Sequence, residues 1–362
     1  KSGKNLTAGD LKQDEDVMDT WFSSWIWPIQ VFDGLHKEDE VQYYYPTNDL
    51  VTAPEIMFFW VARMIMSGYH YRDLPPFKNV YFTGIVRDEK GRKMSKSLGN
   101  SPDPIELMEK YGADGVRVGM LLTSPAGNDL PFDEKLCETG RNFSNKIWNA
   151  FRLVKGWEAD SNKEQPASAA LAVNWINSRI NSALHDLESQ YNEFRLSEAL
   201  MTSYRIVWEE FCSWYLELIK PPYGEPIDKK TLDETTAVFE KLLKILHPFM
   251  PFLTEEVWHW LGENDSLEDA LIVANWPSLG EVDASLLKDF DTLKEIVGGV
   301  RNVRKDNQIS NKEKLELKVQ VGELYPEHLQ PAIAHLTNLS SIEHVEEKVA
   351  GAFGFMVGRH RF

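Results

Sequence analysis

Beyond about residue 120, apolar residues recur three and four apart, the spacing that puts one apolar stripe on a helix. The periodic segments run roughly 134–157, 167–191, 195–220, 231–247 and 251–261. They are separated by Ser161 to Pro166, by Pro221-Pro222-Tyr223-Gly224 and by His247-Pro248. Consecutive amphipathic helices with short breaks predict a helical bundle. A further helix from Asp283 to Arg301 precedes an alternating stretch, Leu315 to Val321, and a helix–strand sequence, which together predict a small α+β tail. Before residue 120 the pattern is mixed. Val41 to Tyr45 and Leu50 to Thr52 predict short strands, Glu55 to Met66 a buried helix ending near Gly68, and Asn79 to Ile85 a strand entering a polar loop. Asp103-Pro104-Ile105-Glu106 is a helix start, with an acidic cap, proline in the first turn and an acid three residues on. Gly112 ends that helix and another begins near Asp114. The alternation predicts the second half of a doubly wound α/β domain. The fold class expected is therefore α/β plus all-α, divided into an α/β part over 1–125, a helical bundle over 126–280 and an α+β tail over 281–362.

The helix starting at Glu134 carries a second signal. At about 100° per residue, Phe143, Ile147, Ala150, Phe151 and Val154 share one face, and Arg141, Asn145, Trp148, Arg152 and Lys155 share the opposite one. An indole among basic groups suits stacking on unpaired bases while holding phosphates. Arg301, Arg304 and Lys305 form another basic cluster.

The chain has 362 residues, 43% hydrophobic and 26% charged, as in an ordinary globular protein. Its formal charge of −17 argues against a nucleic-acid partner unless local patches meet it, because phosphate binding leaves a basic footprint. Cys137 and Cys212 make no metal-ligand spacing and exclude a disulfide framework, so a reducing, cytoplasmic setting is expected with no protein-bound metal. No stretch is apolar enough to span a bilayer or to act as a signal peptide.

One stretch runs against the acidic balance. Between Arg87 and Lys96 lie five basic residues and two acidic ones, in a loop containing Gly91 and ending Lys93-Met94-Ser95-Lys96-Ser97-Leu98-Gly99-Asn100. Ammonium groups on flexible stems act as point charges on phosphate oxygens. The run Lys93 to Ser97 resembles the signature loop of class I aminoacyl-tRNA synthetases letter for letter. The resemblance extends to Asp16–Ser24, Tyr45–Met66, Asp103-Pro104, Tyr111–Asp114, Arg141–Asn149 and His247–Trp258. Together these segments resemble the valyl-specific branch over about residues 10 to 305. An isoleucyl or leucyl relative is the neighbouring alternative, and a non-catalytic tRNA-binding module the alternative of another class.

The resemblance implies ATP as substrate with Mg2+ accompanying it, valine, and tRNA(Val) as partner to an anticodon-binding helical domain. It implies that Lys93 and Lys96 neutralise the departing pyrophosphate. Gly84, Ile85, Met94, Ser95 and Ser97 join them around ATP, with Gly91 and Gly99 as hinges. It implies a valine pocket walled by Trp21, Ile56 and Trp60, with Glu55 facing the substrate; the spacing of Ile56 and Trp60 puts them on one helix face. Arg141, Trp148, Arg152, Lys155, Arg301 and Arg304 are the expected tRNA contacts. No His-Ile-Gly-His-type motif is found in the sequence. The expectation is a C-terminal portion of a monomeric ligase, inactive alone, without the first half of the catalytic fold and the editing domain.

Overall fold

The structure is a computed structural model. It describes residues 7–34, 36–122, 126–262, 266–320 and 326–362, with the side chain of Lys96 excepted. The chain divides into two compact units, Lys1–Ser95 with Ser124–Phe132, and Lys96–Thr123 with Asp133–Phe362.

The first unit holds α1 (Thr20–Gln30), α2 (Glu38–Tyr44), β1 (Thr47–Thr52), α3 (Ala62–Arg72), β2 (Phe77–Phe82), β3 (Val86–Arg87) and β4 (Leu130–Pro131). Strands β1 and β2 pair in parallel with Thr52 opposite Phe82, and β3 and β4 pair in parallel with Val86 opposite Leu130. Asp19 caps α1 by accepting from the backbone N–H groups of Trp21 and Phe22. Among the unit's described residues the buried apolar side chains make two small clusters, Ile29, Val41 and Tyr45 in one and Val61, Met64 and Phe77 in the other, with Leu130 buried apart from both.

Two expectations fail here. Val41 to Tyr45 is the end of helix α2, not a strand. Glu38, Asp39 and Glu40 fill its first turn, where acids favour the helix dipole, and Val41 alone of its residues is buried. The stretch Glu55 to Met66 is not one regular buried helix. A 3₁₀ turn over Pro54–Ile56 and a π-helical turn over Met57–Val61 precede α3. Phe58 and Phe59 lie exposed. The helix passes Gly68 and ends at Asp73, which adopts a left-handed conformation at φ 56°. A lone glycine costs a helix only about 1 kcal/mol, too little to stop it. Because the winding changes between Ile56 and Trp60, their spacing of four does not give them a common α-helical face.

The second unit begins with α4 (Pro104–Tyr111) and α5 (Ala113–Leu121), then continues with α6 (Glu134–Lys155), β5 (Ala159–Asp160), α7 (Ala167–Asn192), α8 (Leu196–Arg205), α9 (Leu216–Ile219), β6 (Ile227–Asp228), α10 (Lys229–Leu246), α11 (Pro251–Gly262) and α12 (Ala284–Asp306). A π-helical stretch, Ile206–Tyr215, joins α8 to α9. The predicted apolar face of α6 is buried in full: Phe143, Ile147, Ala150, Phe151 and Val154. These join one continuous core with α7, α10 and α12, in which Trp175 stacks on Phe290 at 4.6 Å. Cys137 and Cys212 are buried in this unit, and burial pushes the Cys212 thiol up to about 12. Helices α5 and α6 approach backbone to backbone. A Cβ on Gly140 would lie 2.1 Å from the Gly115 carbonyl oxygen, so only glycine permits the contact.

The tail adds β7 (Leu315–Gln320), α13 (Gln330–Thr337), β8 (Leu339–Val345), β9 (Met356–Val357) and β10 (His360–Arg361). Its sheet has the order β8-β7-β10-β9, with β7 and β8 parallel and the other pairs antiparallel. No helix among the described residues is long and apolar enough to cross a membrane.

Candidate functional site

The signature segment starts from a tight turn. Gly91 N–H donates to the Asp88 carbonyl at 2.8 Å, and Gly91 has φ +74°, open to glycine at no steric cost. The Asp88 carboxylate accepts from the N–H groups of Lys90 and Arg92 and from the Arg92 guanidinium at 2.8 Å. A bridge between Arg87 and Lys93 closes the turn, and Arg87 pairs with Asp129 beside β4. Upstream, a Cβ on Gly84 would lie 1.9 Å from the Asn128 carbonyl oxygen. Position 84 therefore holds glycine because the backbone of residue 128 passes against it. Gly84 and Ile85 are both half-buried.

Lys93 extends from this turn to Glu55, with which it forms an ion pair. A residue expected at phosphate and one expected at the amino acid are thus direct partners. Met94 and Ser95 are half-buried and Ser97 is exposed. The side chain of Lys96 lies outside the described residues, and the division between the two units falls between Ser95 and Lys96.

Trp21 is half exposed, and the buried Arg63 guanidinium lies 3.8 Å from its ring centroid. This cation–π contact fixes one face of the indole. Trp60 donates its indole N–H to the Thr52 hydroxyl at 2.9 Å and packs beside Val61, Met64 and Phe77. Ile56 and Glu55 are exposed. Helix α1 packs against both α3 and the π-helical turn, so the elements carrying Trp21 and Trp60 are neighbours.

On α6 the basic face is present but unequal. Arg141 pairs with Glu138 at 3.4 Å and lies over Tyr111. Trp148 is half-buried, packs on the core and meets Phe151 at 5.3 Å. Arg152 and Lys155 are exposed and make no ion pair among the described residues. Arg301 is exposed, its guanidinium 5.6 Å from the Trp214 ring. Arg304 corrects the expectation of an exposed basic cluster. It is 3% exposed, and its guanidinium donates to the carbonyls of Ser310, Glu313, Thr337 and Asn338. Its charge is spent on carbonyls at the end of α13 and in the loop after α12.

Sequence reasoning assigned no role to Asp114, Arg117 and His247. Asp114 is buried on α5 and accepts from the N–H groups of Leu253, at 2.6 Å, and Phe252, which begin α11. Burial raises its pKa, opposed by those two hydrogen bonds. Arg117 donates to the carbonyls of Pro248 and Phe249, both at 3.1 Å. One turn of α5 therefore caps the corner between α10 and α11 from outside it. His247 in that corner contacts the Thr254 hydroxyl at 2.8 Å, and burial lowers its pKa. An acid and an arginine three apart beside glycines was the available signal.

Residues 2–133 match the family model of class I tRNA synthetases (I, L, M and V), and residues 173–320 match that of the anticodon-binding domain of tRNA ligase. The chain belongs to the class I aminoacyl-tRNA synthetases, in the valine–tRNA ligase branch. It is 57% identical over 355 residues to the valine–tRNA ligase of Parabacteroides distasonis, covering 98% of this chain and 40% of that one. It is 54% identical to that of Christiangramia forsetii, covering 99% of this chain and 41% of that one. The chain thus spans about 40% of the length of these relatives. The fold is similar to the crystal structure of the ternary complex of Agrobacterium radiobacter K84 agnB2 LeuRS-tRNA-LeuAMS. The TM-score is 0.58 at 20% identity, covering 76% of this chain and 34% of that one.

Proposed function

We propose that this chain is part of a valine–tRNA ligase that joins valine to ATP and passes the acyl group to tRNA(Val). The observation that carries this reading is 57% identity to such a ligase across nearly the whole chain, with the run Lys93 to Ser97 intact. In the first step the valine carboxylate attacks the α-phosphorus of ATP, which enters with Mg2+, and pyrophosphate leaves in line. Charge on the departing group is what the protein must stabilise. Lys93 and Lys96 meet it, and Met94, Ser95 and Ser97 shape the loop around it. Gly84 and Ile85 present backbone to the nucleotide. Lys93 begins paired with Glu55 and exchanges that carboxylate for pyrophosphate oxygens. Glu55 is then free for the valine ammonium. Trp21, Ile56 and Trp60 wall the aliphatic side chain. In the second step the terminal hydroxyl of tRNA(Val) attacks the valyl carbonyl of the adenylate, forming the ester bond as the bond to AMP breaks and AMP leaves. Arg141, Trp148, Arg152 and Lys155 contact that tRNA, with Arg301 a further cation.

In domain terms, residues 1–125 supply the later half of a doubly wound catalytic domain, 126–280 the anticodon-binding bundle and 281–362 a small tail. The protein works as a cytoplasmic monomer, and this chain alone does not activate valine.

The test is a chimera in which residues 1–362 replace the matching segment of the P. distasonis enzyme. Lys93→Ala and Lys96→Ala should each slow pre-steady-state adenylate formation on the order of a hundredfold to a thousandfold, or about 3–4 kcal/mol. Valine affinity should change little. An effect confined to valine affinity would overturn the assignment to pyrophosphate.

A further inference from the structure

At the C-terminal end of α7 a cavity of about 430 Å³ opens against the segment that follows α11. Leu184, Glu188, Tyr191 and Asn192 line it from α7. They fall at i, i+4, i+7 and i+8, so one helix face carries all four. Trp276 lines it from the facing segment, and its ring stands at 83° to that of Tyr191, with centroids 5.9 Å apart. The cavity therefore has two aromatic walls meeting at nearly a right angle. Tyr191 is braced by Phe249, whose ring lies nearly parallel to it at 6.2 Å. Trp276 is 45% exposed, whereas Trp175 in the core of the same unit is fully buried. Packing alone does not use up the Trp276 indole, and part of it is open to a ligand.

The charge of the lining has one sign. Glu188 is exposed and makes no ion pair or hydrogen bond among the described residues, and no Lys, Arg or His stands beside it in the described lining. Burial pushes the Tyr191 hydroxyl up to about 12, so the phenol stays neutral. A carboxylate close to a helix C-terminus opposes the helix dipole, and the last turn of α7 has no basic residue to offset it. Helix stability therefore does not explain Glu188. A cation in the cavity would be drawn by the carboxylate and by the negative end of α7 together, and a phosphate would be repelled by both. We propose that the cavity binds a small organic cation of the quaternary ammonium type, its methyl groups against the Trp276 and Tyr191 rings and its charge beside Glu188. A cation is attracted to an aromatic face, and Leu184, Pro277 and Leu279 supply apolar surface for the rest of the molecule. A primary ammonium brings three donors. Glu188 and Asn192 are the side chains able to accept them, since the Tyr191 hydroxyl is shut off from solvent. A head group of methyls leaves no such donors unmet. None of the residues assigned above to ATP, valine or tRNA takes part.

The experiment titrates the 362-residue chain with choline, with its uncharged isostere 3,3-dimethylbutan-1-ol and with ethanolamine. Binding is followed by NMR at the indole N–H signal of Trp276, which Trp276→Phe assigns by removing it. Choline should bind about fivefold to thirtyfold more tightly than the isostere, the range for a cation against a partly desolvated ring. Ethanolamine should bind more weakly than choline. Glu188→Gln, at an exposed position, should weaken choline severalfold, flatten its dependence on salt and leave the isostere unchanged. Trp276→Leu, which keeps apolar bulk without an aromatic face, should abolish the preference for choline over the isostere; it is read from the choline methyl signal. Circular dichroism confirms that both variants remain folded. Equal affinity for choline and the isostere would overturn the proposal and leave an apolar hollow. Equal affinity for choline and ethanolamine would overturn the quaternary assignment. Choline binding unaltered in both variants, or no choline-dependent shift of the Trp276 signal, would overturn the site itself.

Discussion

The two units treat the same residue types in opposite ways. In the second, Phe143, Phe211 and Trp175 are fully buried in one continuous core. In the first, Phe58 is 78% exposed, Phe59 63% and Trp27 53%, and the buried groups form two small clusters. A composition of 43% hydrophobic residues averages over both and describes neither. The difference is one of core size: in the second unit apolar side chains hold many helices around one core, and in the first they make only two small clusters and leave several rings exposed.

The most direct way to break that contrast is to delete the same ring in each unit. Phe143→Ala should cost about 3–5 kcal/mol of unfolding free energy, as truncation of a packed core ring does. Phe58→Ala should change it by no more than about 0.5 kcal/mol. Urea unfolding, followed for the unit that carries each residue, reads both, and comparable losses would erase the distinction. Within the second unit, glycine sharpens the comparison. Gly140→Ala forces a methyl against the Gly115 carbonyl and should cost roughly 1–3 kcal/mol. Gly298→Ala in α12 meets nothing within 4 Å and should stabilise by about 0.5–1 kcal/mol. Thermal melts of both variants should shift in opposite directions.

The smallest effect concerns pH. His247 has its pKa lowered by burial, against the pull of Glu255 and Asp114. The unfolded chain then binds the proton more readily than the folded one. The stability contributed by neutral His247 is full above the unfolded value near 6.5 and is lost as pH falls through the lowered folded value. His247→Gln should remove that acid-side decline from a stability–pH curve. Asp114, with its pKa raised mainly by burial, acts with the opposite sign, and each of the two charges acts on the other.

The same contrast explains what was legible in the sequence. In the second unit helical periodicity is enforced by a core, so α6, α7 and α10 fall close to where the apolar spacing predicts, and all five residues predicted for the apolar face of α6 are buried, joined by Cys137 and Gly140. In the first unit no deep core imposes a period. Local chemistry decides instead: three acids turn Val41 to Tyr45 into a helix end, and changes of winding divide Glu55 to Met66. Among the candidate site residues, the Lys93–Glu55 partnership joins two motifs 38 residues apart, which no local pattern reveals. Arg304 was misjudged because its charge suggested solvent, whereas its carbonyl acceptors come from a loop and a helix end that only the fold assembles. Asp114 and Arg117 went unassigned for the same reason, since their partners lie more than 130 residues on.

Arg304 also decides where the chain can be cut. Its helix packs on α7 in the main core, while all four of its carbonyl acceptors follow it, from Ser310 to Asn338. Truncation just after α12 would strand a guanidinium in the protein interior with nothing to accept its protons. Such a charge either drags water inward or loosens the helix that carries it. Dissection into separately expressed pieces therefore has to keep α12 and the strand–helix segment through Asn338 together, whatever boundary their secondary structure suggests.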